Sequence, residues 1–576
     1  MNILGISGQE SDAAAALVVD GEVVAAIEEE KLSRIRYVGM NYTGGLPERA
    51  VEFCLERGGL KFSDIDYVAY YLEPEKLFHR EIAFHSSRSL GAPVVGSHEV
   101  FPTYFVESLN DLRQRLATRQ IMETRLRKPG RFIAVNHHLS HGASAFFASG
   151  FDRAAVLSIG NRGDMISTAL MLGEGAQLRT VLELEYPHSI GLLYSAVTAA
   201  LGFSYYGDWH KTMWLAPTGQ PEFADLFKDI IKLRKKGMPS LNLDYFDISS
   251  KNHPTLSDKF FEKAALKPRL KDEPITAKHR NITASLQSRI EDIVCEMAVH
   301  FREKTGEENL CLAGGVALNS LVNAALERRA GYNRLFVQPA AGNAGCSIGA
   351  ALYVWHQTLG NKERRYQMKH VFLGPQYGDD QIKTVLDNCK ISFEYFQTED
   401  KLVAEVAKLL EQGRIVGWFR GAMEFGPRTL GTRSILASPK SEMMRDNLNV
   451  YIKHREDFRP FSAAVPEEQV GDYFEPSELT DFLQGVSRIR EGIRHLIPAA
   501  VFGENLVRVQ SVSRKTNPTF WKLLVKFGEV AGVPVLLNTS FNLFGEPVVS
   551  TPREAVRGFY CSGIDCLAIG NFLIKK

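Results

Sequence analysis

The chain has few cysteines, almost no net charge and no long apolar run, and each lack removes a class of function. Its 7 cysteines include no C-x-x-C pair. Sparse thiols in apolar contexts, such as Cys311 and Cys346, exclude a disulfide scaffold and fit a reducing cytoplasm. A net charge of +1 gives no electrostatic reason to expect nucleic acid or membrane as the main partner. No apolar stretch approaches the roughly 18 residues that a bilayer span requires. The start, MNILGISG, lacks a basic region followed by an apolar one, so no signal peptide is expected. What is present is a globular composition, 45% hydrophobic and 23% charged over 576 residues. That length exceeds a single core and predicts two or three domains.

Strands are expected at MNILGIS, AAAALVVD and EVVAAIEEE, with Asp20-Gly21 as the hairpin turn between the last two. A helix is expected over 45–57 and a strand at IDYVAYYL. Residues 73–125 carry no sharp signal and read as an excursion over the surface. RFIAV then runs into NHHLSHGASAFFASGF. There His137 and His141 are four apart and share one helix face, as two imidazole metal ligands must. Taken alone, that spacing recurs freely, and histidines satisfied by hydrogen bonds at a helix start account for it. GDWHKTMWLAPTG puts Lys211 at a glycine-flanked turn, where a cation meets a phosphate or simply faces solvent. LCLAGGVALNSLVNAAL reads as strand, Gly314-Gly315 turn and helix, with Asn319 near the helix start. Backbone amides at such a start suit a nucleotide or phosphate.

The most informative stretch is WFRGAMEFGPRTLGTRSILASPKSEMMRDNLNVYIKHREDFRPF, residues 418–461. Its cations stand singly among glycines, prolines and apolar residues, unlike a solvated charge run. Arg428, Arg433, Lys453, Arg455 and Arg459 fall at turns or beside aromatic residues, as guanidinium groups do around a bound phosphate or carboxylate. A rigid pocket for an anionic substrate is expected. NKERRYQMKH, residues 361–370, reads as a linker, 401–413 as an amphipathic helix and IVGWFRG as a strand. Arg508, in LVRVQSV, projects from another expected strand.

EFGPRTLGTRSILA, KHRE, FRPF and NTSFNLFGEPVV resemble the C-terminal half of the O-carbamoyltransferases of antibiotic and nodulation-factor biosynthesis. SIGLLYSAVTAALGF and the HxxxH stretch resemble their N-terminal half. The resemblance covers almost the whole chain and implies an α/β protein with an actin-like domain over roughly 1–360. A YrdC-like twisted-sheet α/β domain, the fold of threonylcarbamoyl-adenylate synthases, would follow over roughly 365–576. Lys453-x-Arg455 and Ser540-x-Asn542, with Asn538 nearby, look like the nucleotide-binding signature of that fold. Asp12 lies in the loop after the first strand, as in actin-like ATPase domains. The implied reaction joins carbamoyl phosphate and ATP, with Mg2+ on the triphosphate, into carbamoyl-adenylate with loss of pyrophosphate. The carbamoyl group then passes inside the protein to a hydroxyl of a small-molecule acceptor. In this reading Arg508 is a further phosphate or carbamate clamp, and Asp244 is a candidate acid near the acceptor. A homo-oligomer stays open.

The likeness breaks at the metal. In the family the HxxxH pair holds a divalent ion such as Fe2+, completed by two aspartates. Gly160 in AAVLSIGNRGDMIST and Asn343 in VQPAAGNAGCSIGAA stand at those positions. Without the two anions a hard or borderline cation should bind weakly. Asp164 lies four residues on, but nothing in the sequence makes it a ligand. The family's arginine before the GPR motif is Ala422 here, two residues from Arg420. Its His and Asp-Gly-Thr before the strand arginine are Phe502 and Glu504-Asn505-Leu506. Three readings follow. One is a carbamoyltransferase whose altered transfer site relies on Lys211, amides near Gly315 or neutral histidines. Another is an adenylating enzyme with a repurposed N-terminal site, and the third a nucleotide-binding partner protein that has lost transfer chemistry. The intact KxR, SxN and GPR motifs weigh against the third.

Overall fold

The first strands form where the apolar pattern puts them: β1 (Asn2–Ser7), β2 (Ala14–Val19) and β3 (Glu22–Glu28). Asp20 and Gly21 take φ of 49° and 88°, the positive pair that a tight two-residue hairpin requires. This is a computed structural model that describes residues 1–89, 97–126, 131–203, 206–235, 237–247 and 255–576. After the helix Glu48–Gly58, β4 (Tyr67–Tyr70) and β5 (Phe132–Ala134) complete a sheet ordered β3-β2-β1-β4-β5. The β1–β2 pair is antiparallel, while β4 runs parallel to both β1 and β5.

A second sheet repeats that plan. Here β6 (Arg153–Gly163), β7 (Ile166–Glu174) and β8 (Gln177–Glu185) form an antiparallel meander. Strand Asn309–Ala313 then joins β6 in parallel, and Arg334–Val337 joins it in turn. Two sheets of one topology, each a meander continued by parallel strands, are the actin-like duplication. The helices His137–Ser149 and Gly345–Tyr353 pack against each other between them. Their approach needs Gly349, whose Cβ would lie 1.8 Å from the Ser140 carbonyl oxygen.

Several local expectations change. The segment after β4 forms two helices, Pro74–Ser89 and Ser97–Leu126, instead of an irregular excursion. Apolar residues are spread around the second helix, so no clean 3.6-residue stripe marks it in the sequence. Gly160 lies within a strand, because β6 runs on to Gly163 and the chain reverses at Asp164-Met165, with φ of 53° and 61°. Lys211 lies inside the helix Trp209–Leu215 and not at a turn. The stretch 361–370 has no regular structure, yet it is packed down: Arg364 donates to the Phe146 carbonyl (2.6 Å) and stacks over that residue's ring (4.5 Å).

The C-terminal half is built on one ten-stranded mixed sheet. Alternation along its central strands sends Trp418, Leu436 and Ala464 to one face and Phe419, Ile435 and Ala463 to the other. Helices Glu399–Glu411 and Pro518–Ala531 cover the first face, and Asp379–Asn388 and Pro552–Tyr560 the second. Met423, Phe425 and Leu430 leave this half to join the core of the N-terminal sheets, so the two halves share apolar contact. Among the described residues no helix is long and apolar enough to cross a membrane.

Candidate functional site

A π-helical turn, Asn447–Ile452, delivers Lys453 and Arg455 to the edge of the C-terminal sheet. Such widened turns recur at functional sites. Between the two cations His454 holds φ of 45°, a conformation costing on the order of 1–3 kcal/mol that persists where the surroundings impose it. Lys453 Nζ donates to Ser540 O (2.8 Å), Asn542 O (2.9 Å) and Asn542 Oδ1 (2.6 Å). The KxR and SxN motifs therefore form one unit. Ser540 Oγ donates to Asn542 Oδ1 (2.7 Å), and Asn538 is tied to Gln510 (2.7 Å) beneath them.

Arg455 lies over the Phe461 ring (4.6 Å) and donates from Nε to Asn449 Oδ1 (2.7 Å), while its Nη2 has no partner. Arg508 rises from strand Leu506–Val512 over the Trp214 ring (4.8 Å), with Nε and Nη2 both unpartnered. Burial, then the charges of Arg428, Arg455 and Arg459, push the Arg508 guanidinium well below its ordinary value. Arg428 is pushed down to about 10 by burial and by Arg459. Burial followed by Arg455 and Arg459 lowers the Lys453 ammonium in the same way. Arg459 approaches Glu456 (3.5 Å), whose other oxygen meets Lys211 Nζ at 2.9 Å. Like charges are thus gathered out of water with donors to spare, an arrangement completed by an anion.

Arg433 is not part of this cluster. It is fully buried, stacked on Phe419 (3.8 Å), and it donates to the carbonyls of Arg420, Gly421, Thr432 and Pro375. Its pattern in the sequence matches that of its neighbours, but the sheet turns it inward as a structural tie. Asp244 also lies apart, on the surface and paired with Lys259 (2.8 Å).

The N-terminal candidate site begins at the helix after β5. Asn136 caps the helix that starts at His137, accepting from the Leu139 amide (3.1 Å). The His137 and His141 rings stand 4.6 Å apart, and neither Nδ1 has a partner. Burial holds both imidazoles neutral, with His141 pushed down to about 3. The intervening His138 is structural, contacting Ser158 Oγ (2.7 Å) and the Ile166 carbonyl (3.1 Å). Asp12 accepts from the Tyr206 hydroxyl (2.9 Å), and burial, with Glu30 nearby, raises its carboxyl to about 7. Gly314 has φ of 88°, and a Cβ there would strike the Ile159 carbonyl. Gly315 is exposed, with open space where a side chain would be. Asn319 caps the helix Ser320–Arg329 and exchanges hydrogen bonds with Gln287, so its side chain is engaged within the fold.

Family models agree with this two-part layout. The model described as carbamoyltransferase N-terminus matches residues 2–352, and the one described as carbamoyltransferase C-terminus matches 407–576. The chain belongs to the carbamoyltransferase family. A protein of Synechocystis sp. is 38% identical over 607 residues, covering 100% of this chain and 97% of its own length. The nodulation protein NolNO of Sinorhizobium fredii is 37% identical over 570 residues, covering 98% of this chain and 79% of its own. Among solved structures, component A of the (R)-2-hydroxyglutaryl-CoA dehydratase of Acidaminococcus fermentans aligns with a TM-score of 0.35 and 14% identity. That alignment covers 62% of this chain and 99% of the other.

The histidine pair is the metal candidate that the HxxxH spacing offers, and among the described residues the carboxylates that would complete its coordination are not gathered around it. Gly160 contributes no side chain. The Asn343 amide is turned toward Ser11 (3.5 Å). One oxygen of Asp164, the nearby carboxylate, accepts from the His137 amide (2.8 Å) and from Asn136 (3.2 Å); its other oxygen has no partner, and burial raises the carboxyl to about 7. Among the described residues no group of His, Cys, Asp or Glu side chains converges as a metal cage. Two neutral imidazoles leave a divalent charge uncompensated. Sequence reasoning had missed Trp214, Asn449, Glu456 and Tyr206. Of these, the aromatic and Glu456 signals sit inside motifs already noted, while the Asn449 role depends on the widened turn.

Proposed function

We propose that this carbamoyltransferase-family chain makes carbamoyl-adenylate from carbamoyl phosphate and ATP, then transfers the carbamoyl group to a hydroxyl of a small-molecule acceptor. The observation that carries the reading is the cluster Arg428, Arg455, Arg459 and Arg508, mutually repelling and largely withdrawn from water, in which Arg455 and Arg508 keep guanidinium nitrogens unpartnered. Phosphate and carboxylate oxygens satisfy both deficits at once. In this reading the adenylating domain spans roughly 365–576, the transfer domain roughly 1–360, and the substrates are cytoplasmic small molecules.

Water first releases carbamate and phosphate from carbamoyl phosphate. A carbamate oxygen then attacks the α-phosphorus of ATP, taken as its Mg2+ complex. The bond from that phosphorus to the bridging oxygen breaks, and pyrophosphate leaves with the electron pair. Lys453 and Arg455 balance the charge on the triphosphate and on the leaving group, while Arg428, Arg459 and Arg508 hold the donor anion. Lys453 fixes Ser540 and Asn542 as oxygen-recognising groups. The adenylate moves past Lys211 and Glu456 without entering bulk water, where it would decompose. In the transfer site the acceptor oxygen attacks the carbamoyl carbon, the bond to AMP breaks, and Asp12 takes the acceptor's proton. A carboxyl raised to about 7 suits a general base at neutral pH. Lys211 and the backbone around Gly315 are the donors available to the carbonyl oxygen.

Incubation with ATP, Mg2+ and carbamoyl phosphate should release pyrophosphate in step with carbamoyl phosphate consumption. Release of ADP instead would overturn the reading. Gly160 and Asn343 favour one variant of it, in which the adenylate forms but a nucleophile other than a hydroxyl receives the acyl group. Pyrophosphate release without carbamoylation of any hydroxyl acceptor would select that variant.

A further inference from the structure

Glu28 ends β3, and Lys31 lies one helical turn on, in the helix Glu29–Ser33. Their side chains, only 8% and 3% exposed, pair at 2.8 Å. In a sequence such an i,i+3 pair reads as a solvated surface contact. Here it is buried against the other half of the chain. Lys31 Nζ also donates to Glu424 O (2.7 Å) and Gly426 O (3.0 Å), so the ammonium ties the loop to Glu28. The second Glu28 oxygen accepts from the Gly426 amide (2.8 Å). Gly426 has φ of 108°, which other residues adopt only under strain.

Glu424 closes the same loop from within, since its Oε1 accepts from the Leu430 (2.7 Å) and Thr432 (2.9 Å) amides. Arg428 sits at the middle of the loop so held. A buried ion pair is seldom more stabilising than apolar packing of equal volume. Stability therefore does not explain this one, whereas fixing a loop that carries a substrate-facing arginine does. The next residues act on the opposite wall: Arg34 donates to the carbonyls of Pro547 (2.8 Å) and Val548 (2.6 Å), just beyond Asn542.

We propose that Glu28 and Lys31 form a clamp through which the N-terminal half positions the GPR loop, and with it Arg428, for the donor anion. They are positioning residues, and the proposal rests on the adenylation reading above. Adenylation is then competent only while the transfer half is seated on it.

The test compares Lys31→Met and the double variant Glu28→Gln/Lys31→Met with the wild type in the full chain. The readouts are pyrophosphate release and hydrogen exchange at Glu424–Thr432. The clamp predicts faster exchange confined to that loop. It also predicts a KM for carbamoyl phosphate raised about tenfold with the KM for ATP little changed, because an interaction with one substrate has been loosened. In the double variant no buried charge is left unpaired. A merely structural role predicts that its melting temperature and its KM both recover. The clamp predicts recovery of melting temperature alone, with Lys31→Arg restoring the KM in part. Wild-type loop exchange and wild-type KM in the double variant would overturn the proposal. Absence of pyrophosphate release in the wild type would instead refute the adenylation reading, and loop exchange would still decide the clamp.

Discussion

The arginine cluster and the histidine pocket both hold polar side chains drawn away from water, yet they keep charge in opposite ways. Burial disfavours the ionised form in each. Histidine and aspartate yield to it: His141 falls to about 3, while Asp12 and Asp164 rise to about 7. Arginine does not yield, because a guanidinium pushed down to about 10, as in Arg428, is still protonated at neutral pH. One site therefore remains strongly cationic and the other nearly neutral. A polyanion belongs in the first, and the second handles a neutral carbonyl and a proton.

The sharpest way to break this contrast is to remove one cation. Arg455→Ala should lower pyrophosphate release on the order of 10³-fold, as loss of a charge-stabilising donor does. Its melting temperature should hold or rise, because a buried, repelled charge is gone. Arg433→Ala should do the reverse and give poorly folded protein, since four carbonyls lose their donor. A stable, inactive Arg433→Ala would return that residue to the site.

The second effect is a pH dependence of transfer. Asp12, raised to about 7, is protonated and useless as a base below that value. Transfer should fall about fiftyfold between pH 7 and pH 5, approaching tenfold per unit well below the pKa, and Asp12→Asn should abolish the dependence along with most of the rate. Stability moves with the same group. A carboxyl whose folded pKa is raised stabilises the fold fully below its ordinary value of 3.8 and loses that contribution as pH climbs through about 7. Asp12→Asn should therefore raise the melting temperature more at pH 8 than at pH 5, and equal shifts would contradict the burial argument.

Much of the cationic site was legible in the sequence, and the reason is chemical. Single arginines among Gly-Pro turns and aromatics have few uses other than gripping anions, and Arg428, Arg455, Arg459 and Arg508 came together as that pattern implied. Direction was not legible. Arg433 has the same neighbours in the sequence, but a strand position sends its side chain back to carbonyls. Lys211 was read at a turn because glycines flank it at a distance, yet the apolar residues around it favour a helix that aims it at Glu456. The hairpin at Asp20-Gly21 follows from two continuous apolar runs broken by an Asp-Gly pair, and its strands are buried almost throughout. The helices 74–126 have no such signal, because the second has no single apolar face. Glu28 and Lys31 looked like surface residues, since burial by another half of the chain leaves no mark at i,i+3.

A smaller effect concerns the neutral pocket. Protein purified without added metal should carry well under one equivalent at His137 and His141, by metal analysis. Gly160 has room for a side chain, with the Ser167 carbonyl 3.9 Å from a built Cβ. Gly160→Asp with Asn343→Asp should accordingly raise occupancy toward one equivalent. Stoichiometric metal in the wild type would contradict the account and point to Asp164 as the missing ligand. The smallest effect is expected at Asp244→Asn. It breaks an exposed pair worth about 0–1 kcal/mol and should leave transfer within about twofold. A large loss would move the acceptor toward Lys259.

The central claim is that the arginine cluster activates the donor on the α-phosphate of ATP. Carbamoyl-phosphate-dependent exchange of labelled pyrophosphate into ATP measures that step without any acceptor. The account predicts exchange in the wild type that needs carbamoyl phosphate and disappears in Arg455→Ala. Exchange that survives in Arg455→Ala, or ATP cleaved to ADP with no exchange at all, would contradict it.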